Sequence, residues 1–211
     1  MRKHLLGFYD YTVMLTYCSL LSAVVGMGEI IQGRPVKALI CLMMSGFFDM
    51  VDGPVAQTKS RTEDEKCFGI QIDSFCDLVA FGVFPGIFLY NALGTKDTMS
   101  LVATFIVILA ALIRLAFFNV IEQQRQMETD EPRKSFRGMP VTVVALVLPA
   151  AWMILKVTGL PIYFLGIVQV VLAFLNLADI TVMKPQKTGK IILAVIGLAE
   201  MVCLFLIGKG I

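Results

Sequence analysis

Histidine, charge and paired cysteines are all scarce in this sequence. His4 is the only histidine, which excludes Ser-His-Asp triads, Cys-His pairs and histidine-rich zinc sites. The five cysteines include no CxxC pair, and an odd number on mostly apolar stretches indicates buried small residues rather than a disulfide framework. Any acid–base or metal chemistry must therefore be carried out by carboxylates.

Charged residues make up 16% of the chain, against roughly 25% in soluble domains. Hydrophobic residues make up 57%, and the mean hydropathy is +0.80. This composition excludes a disordered chain and predicts an integral membrane protein. The net charge is only +2 and no basic block occurs, so we expect membrane lipids and no nucleic acid among its partners.

Apolar stretches of spanning length recur along the chain, separated by short polar breaks. We predict an all-α, polytopic membrane bundle of about seven transmembrane helices (six to eight) that forms a single domain over residues 1–211. Residues 1–11 could form an interfacial helix along the membrane surface. The predicted spans lie at about residues 12–32, 36–57, 69–93, 98–122, 140–158, 161–183 and 189–208.

The distribution of lysine and arginine predicts the orientation. With the N-terminus in the cytoplasm, the cytoplasmic side receives 12 of these residues and the opposite side 5. Basic residues favour the cytoplasmic side of membrane proteins. We therefore predict a multi-pass protein of the cytoplasmic membrane, with both longer loops, 58–68 and 123–139, in the cytoplasm.

Four aspartates stand near the cytoplasmic ends of the second and third predicted helices. Asp49 and Asp52 are three residues apart and Asp73 and Asp77 are four apart, so each pair shares one helix face. An antiparallel hairpin brings all four to a similar depth, where unpaired charges are costly. Two ions of Mg²⁺ or Mn²⁺ would neutralise them and suit chemistry on a diphosphate.

Two alternatives to a catalytic metal cluster remain for these acids. They could form hydrogen bonds between helices, or they could line a cation-conducting site. The small residues Gly53 and Ala56 favour a binding site, because they let a ligand approach the helix backbone closely.

The sequence DMVDGPVAQ at 49–57, followed by GIQIDSFCD at 69–77, resembles the signature of the CDP-alcohol phosphotransferases, D-x2-D-G-x2-A-R-x8-G-x3-D-x3-D. The residues that match it, in order, are Asp49, Asp52, Gly53, Ala56, Gly69, Asp73 and Asp77. Two departures occur: Gln57 stands where the family has arginine, and 11 residues rather than 8 separate it from Gly69. Lys59 or Arg61, in the lengthened loop, could substitute for the arginine.

Within that family, three further stretches resemble phosphatidylserine synthases: LVAFGVFP at 78–85, IRLAFFNV at 113–120 and FRGMPVT at 136–142. Thr16 matches a family threonine near the nucleotide. The resemblance implies transfer of the phosphatidyl group of CDP-diacylglycerol to the hydroxyl of L-serine, with release of CMP. It also implies a homodimer.

The resemblance assigns roles to individual residues. Asp49, Asp52 and Asp73 would hold the metals, and Asp77 would contribute to the cluster and act as the general base on the acceptor hydroxyl. The residues implied in nucleotide binding are Thr16, Asp49, Asp52, Gly53, Ala56 and Gly69.

Three polar residues further along the chain are candidates for binding the acceptor or a phosphate: Arg114, Asn119 and Arg137. A guanidinium fork suits planar anions, but Arg114 could equally form an ion pair between helices, and Arg137 could be a surface charge. The rival functions are the same chemistry on glycerol 3-phosphate or inositol phosphate, a divalent-cation transporter, and a non-catalytic protein that still binds CDP-lipid.

Overall fold

The computed structural model describes residues 7–56, 58–94, 97–128, 135–183, 185 and 187–209. Within these residues the fold is a helical bundle with one short two-stranded ribbon. In chain order the elements are α1 (Tyr11–Ile31), α2 (Pro35–Ala56), α3 (Glu63–Asp77), a π-helical segment (Leu78–Val83), α4 (Phe84–Leu93), α5 (Thr98–Glu128), β1 (Ser135–Arg137), a 3₁₀ turn (Val141–Val143), α6 (Val144–Thr158), α7 (Tyr163–Leu177), β2 (Thr181–Met183) and α8 (Lys187–Lys209).

Six helical segments of the described chain are long and apolar enough to cross a membrane, and α7 is a shorter apolar helix. The prediction of an all-α, multi-pass membrane bundle is confirmed. The orientation of the N-terminus stays a prediction, and residues 1–6 of the predicted interfacial segment lie outside the described residues.

The predicted sixth helix, 161–183, is wrong over its last six residues, 178–183. α7 ends at Leu177, and β2 pairs antiparallel with β1, with Phe136 opposite Val182. The apolar residues 180–183 continue the hydrophobic run, but Ile180, Thr181 and Val182 are β-branched and favour extended backbone. Hydropathy alone cannot distinguish such a strand from the end of a helix.

The backbone beside this ribbon requires a glycine at position 138. Gly138 has a φ of +79°, and a Cβ there would lie 2.8 Å from the carbonyl oxygen of Asn176. Its N–H donates to the carbonyl of Ile180 at 2.8 Å. The glycine therefore fastens the start of the α6 segment to the chain that follows α7.

The third predicted span begins earlier than expected, at Glu63. Thr62 and Glu65 form a capping box, in which the Thr62 hydroxyl accepts from the Glu65 N–H and the Glu65 carboxylate accepts from the Thr62 N–H. Acidic residues in a first turn also favour a helix N-terminus. The charged loop thus contributes a full extra turn and a half of helix before Gly69.

A π-helical segment follows Asp77 directly, without interrupting the span from Glu63 to Leu93. Such segments occur often at functional sites. Pro85, which has no N–H to donate, stands just after it. Gly82 lets the segment approach α5, since a Cβ there would lie 2.9 Å from the Ala111 Cβ.

Small residues also bring α1 close to its neighbours. α1 packs along α2, where the buried hydroxyl groups of Ser19 and Ser45 hydrogen-bond at 2.7 Å. A Cβ at Gly26 would lie 2.4 Å from the ring of the fully buried Phe84. Small and hydroxyl side chains stabilise helix contacts in this way when no hydrophobic force acts between helices in lipid.

Helix α3 packs mainly against α1 and α5. It therefore faces α2 across a gap rather than along a tight seam. The candidate site lies in this gap.

Candidate active site

Carboxylates from α2 and α3 meet across this gap. Asp49, Asp52 and Asp73 each place one oxygen within 4.8 Å of the others. The side chain of Asp77 contacts that of Asp49, and the side chain of Asp73 contacts that of Asp52. The two pairs of acids, each predicted from the sequence to share one helix face, are therefore brought together.

Hydrogen bonds and charges from three other helices act on this acidic cluster. The Thr16 hydroxyl of α1 donates to an Asp52 oxygen at 3.2 Å. Lys190 of α8 lies close enough for its charge to act on Asp49 and Asp52, and Arg114 of α5 acts on Asp49. Two cations do not neutralise four acids, and the oxygen-only donor set is the one that hard divalent cations prefer. The residues present therefore fit a divalent metal.

Beside the cluster, a cavity of about 1630 Å³ opens between α2, α3, the end of α5, α6 and α8. Its charged mouth includes Asp49, Asp73 and Lys190. From there it extends along α8 to Met201 and along α2 to Met43, which is about 16 Å and about 9 Å of helix. The cavity thus has a charged end and an apolar arm, the shape and chemistry of an amphipathic ligand.

The small residues of the motif line this space as expected. Gly53 and Ala56 lie in the cavity wall, and a Cβ at Gly53 would meet no described atom within 4 Å. Gly69 lies on α3 one turn before Asp73, with the Arg61 guanidinium 3.0 Å from the position of a Cβ. The backbone at both glycines is thus open to a ligand or to a long side chain.

Three basic residues at the mouth were not assigned to a site from the sequence: Lys66, Arg125 and Lys190. Arg61, which the sequence offers as a substitute for the family arginine, lines the mouth as well. Lys66 pairs with Glu63 at 2.9 Å and Arg125 with Glu122 at 2.6 Å. Lys190 stands in the first turn of the last helix, a region that carries no motif. In the sequence, Lys190 was linked to the site only by its predicted location on the same side of the membrane as the four acids.

Arg114 and Asn119 lie next to the cluster rather than in the cavity lining. The Arg114 side chain is buried, donates from Nε to the Met139 carbonyl at 3.2 Å, and stacks at 5.0 Å over the Phe118 ring. Asn119 accepts a hydrogen bond of 2.6 Å from the hydroxyl of Ser74. Both residues thereby fix α5 against its neighbours, and their roles toward a ligand stay predictions.

Arg137 lies apart from the four acids, on the exposed ribbon. Its guanidinium donates from Nε to Asp179 at 3.0 Å, with more than half of both side chains exposed. The pairing raises the pKa of Arg137 and lowers the pKa of Asp179 from their usual values. A role for Arg137 in binding a phosphate or the acceptor stays a prediction.

Comparison with known proteins agrees with the site. The model of the CDP-alcohol phosphatidyltransferase family matches residues 11–175. A CDP-diacylglycerol–serine O-phosphatidyltransferase of Saccharomyces cerevisiae is 32% identical over 153 residues, which is 70% of this chain and 54% of that protein. One of Methanocaldococcus jannaschii is 26% identical over 193 residues, 91% of this chain and 82% of that protein.

An archaetidylserine synthase of Methanothermobacter thermautotrophicus is 29% identical over 123 residues, 58% of this chain and 49% of that protein. The chain thus spans about half the length of the yeast and Methanothermobacter relatives. The matched region contains all four aspartates and the helices that position them. With its family signature assembled into one acidic cluster beside an amphipathic cavity, the chain belongs to the CDP-alcohol phosphatidyltransferase family.

Proposed function

We propose that this protein transfers the phosphatidyl group of CDP-diacylglycerol to the hydroxyl of L-serine, giving phosphatidylserine and CMP. The observation that carries the proposal is the continuity between the acidic cluster and the apolar arm of the cavity. A CDP-linked lipid has a charged diphosphate joined to long acyl chains. The cavity offers a place for each part.

Asp49, Asp52 and Asp73 are the residues that would hold divalent metal. The family resemblance implies two ions, of Mg²⁺ or Mn²⁺. Bound there, the metal would polarise the phosphoryl oxygens and stabilise charge on the departing CMP. Thr16 supports this set, because its hydroxyl donates to Asp52 and holds that carboxylate in place. Gly53 and Ala56 leave the backbone of α2 accessible to the nucleotide, and Gly69 leaves room for the Arg61 guanidinium beside it.

Asp77 is the residue we propose as the general base. It lies one turn beyond Asp73 on the same face of α3, in contact with Asp49. A serine hydroxyl is a poor nucleophile until its proton is removed. The only histidine of the chain, His4, is far in sequence from the acidic cluster. An oxygen of Asp77 would accept that proton as the hydroxyl attacks phosphorus.

L-Serine is the proposed acceptor because the relatives above are named for serine transfer and because basic groups deep in the bundle are few. A phosphorylated acceptor such as glycerol 3-phosphate would need a denser basic pocket. Arg114, whose buried guanidinium acts on Asp49, is the residue we propose to bind the serine carboxylate.

The placement of the site at the cytoplasmic face and the homodimer belong to the proposal as well. The first is supported by the 12-to-5 distribution of lysine and arginine. The second is supported by the family resemblance alone.

The test is CMP release from CDP-diacylglycerol by the purified protein with a panel of alcohols. We expect release with L-serine to exceed release with glycerol 3-phosphate or inositol phosphate, to stop in EDTA, and to return with Mg²⁺ or Mn²⁺. Better turnover with glycerol 3-phosphate would reject serine as the acceptor. Full activity in a verified metal-free preparation would reject the metal cluster.

A further inference from the structure

The loop between α2 and α3 is fastened to the start of α1. The Lys59 ammonium pairs with Asp10 at 2.9 Å and with Glu65 at 3.5 Å, and the hydroxyl groups of Tyr11 and Thr58 hydrogen-bond at 2.9 Å. Lys59 and the Thr12 groups lower the pKa of Asp10 to about 2, so the Asp10 carboxylate is ionised at neutral pH. Lys59 therefore serves as an anchor of the loop and is committed to acids outside the cavity.

Arg61 follows two residues later and points the other way. Its guanidinium lies over Gly69, with Nη1 3.0 Å from the position that a Cβ would take, and it lines the cavity. Gly69 and Asp73 are four residues apart on α3 and share one face. The guanidinium thus lies at the mouth, on the helix face that carries the acidic cluster.

The anchoring holds the loop on both sides of Arg61. Lys59 is tied to Asp10, and Thr62 caps α3 through its reciprocal bonds with Glu65. An arginine between two fixed points loses less conformational freedom when it binds a ligand. The loop therefore presents the guanidinium to the cavity in a preorganised way.

Arg61 also differs from the neighbouring cations in its partners. Lys66 and Arg125 form ion pairs with Glu63 and Glu122. Among the residues that the structure describes, no carboxylate lies within ion-pair distance of Arg61. Its charge and its donors are available to an anion that enters the cavity.

We propose that Arg61 binds the diphosphate of the CDP-linked donor and supplies, from the lengthened loop, the cation that Gln57 does not provide. This inference rests on the proposed function, because it takes the donor to be a CDP-alcohol. The planar fork of a guanidinium matches phosphate oxygens in two places. The three additional residues of the loop bring that fork to the cavity from position 61 instead of position 57.

The experiment measures CDP affinity by calorimetry on the full-length protein in lipid nanodiscs with Mg²⁺ or Mn²⁺. We expect Arg61→Gln to weaken CDP binding by about tenfold or more, the scale of a lost hydrogen bond to a charged group. Arg61→Lys should lose part of the affinity, because it keeps the charge without the fork. Arg34→Gln is the matched control: it removes an exposed arginine paired with Glu29 at the α1–α2 turn and should leave CDP affinity unchanged.

A second substitution separates binding from a structural role. Gln57→Arg in the Arg61→Gln protein should restore CDP affinity, because it returns a cation to the sequence position where the family carries its arginine. A loss in Arg61→Gln that Gln57→Arg does not restore, together with a lower melting temperature, would make Arg61 structural and overturn the inference. CDP affinity unchanged in Arg61→Gln would overturn it directly, whereas a wild-type protein that binds no CDP would reject the proposed function itself.

Discussion

The two walls of the cavity are built in contrasting ways. In the apolar span within Glu63–Leu93, 56% of the residues are buried inside the described bundle, whereas in the apolar span of α8 only 6% are. The first wall carries Asp73 and Asp77 and is fixed by α1 and α5. The second contributes Lys190 and a row of apolar side chains to the cavity, and leaves its other side to the lipid.

This difference separates the part of the molecule that we expect to carry out the chemistry from the part that we expect to receive the acyl chains. Side chains that must hold charges at short range need a rigid, buried support. A wall that receives acyl chains needs only apolar surface. We therefore expect substitutions of the clustered aspartates on α2 and α3 to abolish turnover, and substitutions on α8 to change how tightly the donor binds and which acyl chains it accepts.

The largest expected effect is that of Asp73→Asn on the rigid wall. It keeps the shape of the side chain and removes the negative charge of one of the three carboxylates whose oxygens lie within 4.8 Å of one another. Loss of even an outer partner of a metal ligand lowers metal affinity by about 10–100-fold, so the loss here should be at least as large. Mn²⁺ titration followed by CMP release measures it.

Asp64→Asn is the matched control for Asp73→Asn, because Asp64 lies exposed in the first turn of the same helix. It should leave the metal requirement unchanged. Equal metal affinity in Asp73→Asn and Asp64→Asn would mean that α3 does not hold the metal.

The next effect in size is that of Asp77→Asn. It keeps the contact with Asp49 sterically possible but removes the proposed base, so turnover should fall by about 100-fold or more. Binding of CDP-diacylglycerol should persist. Single-turnover CMP release beside nucleotide binding checks both, and near-normal turnover with intact binding would show that Asp77 is not the base.

On the α8 wall, Lys190→Gln should weaken donor binding while the chemical step continues. The charge of Lys190 acts on Asp49 and Asp52 across an open mouth. A partly solvated pair contributes up to about 1 kcal/mol, or about fivefold in affinity. KM and kcat, measured separately, check this, with the exposed Lys37→Gln as the control. A loss confined to kcat would place Lys190 in the chemistry instead.

The smallest effect should come from the apolar arm. Gly197 lines it, and Gly197→Leu would add a side chain beside Leu146, whose Cδ2 lies 3.4 Å from the position of a Cβ. Displacing about one buried methylene costs about 0.8 kcal/mol, so KM should rise for long-chain donors and stay unchanged for short-chain ones. Ala199→Leu, on the exposed side of α8, is the control, and equal effects on both chain lengths would contradict this use of the arm.

Much of the candidate site could be predicted because its information is local. The spacings of Asp49 with Asp52 and of Asp73 with Asp77 fix a shared helix face wherever a helix forms. The end of α7 could not be predicted in this way. Residues 180–183 continue the hydrophobic run after Asp179, and the pairing of β2 with β1 holds residues 181–183 in extended backbone.

The multi-pass helical class and the two acidic faces can be predicted from the sequence alone. Both depend on composition and on the spacing of residues along a single helix. The packing of α3 against α1 and α5, which leaves a gap where the carboxylates meet, is visible only in the tertiary structure. The same holds for Lys190, which is far along the chain but lines the same mouth. It also holds for the loop, in which Lys59 pairs with Asp10 while Arg61 lines the cavity. These are relations between segments distant in sequence, and they depend on which helices pack together, a property that no local pattern encodes.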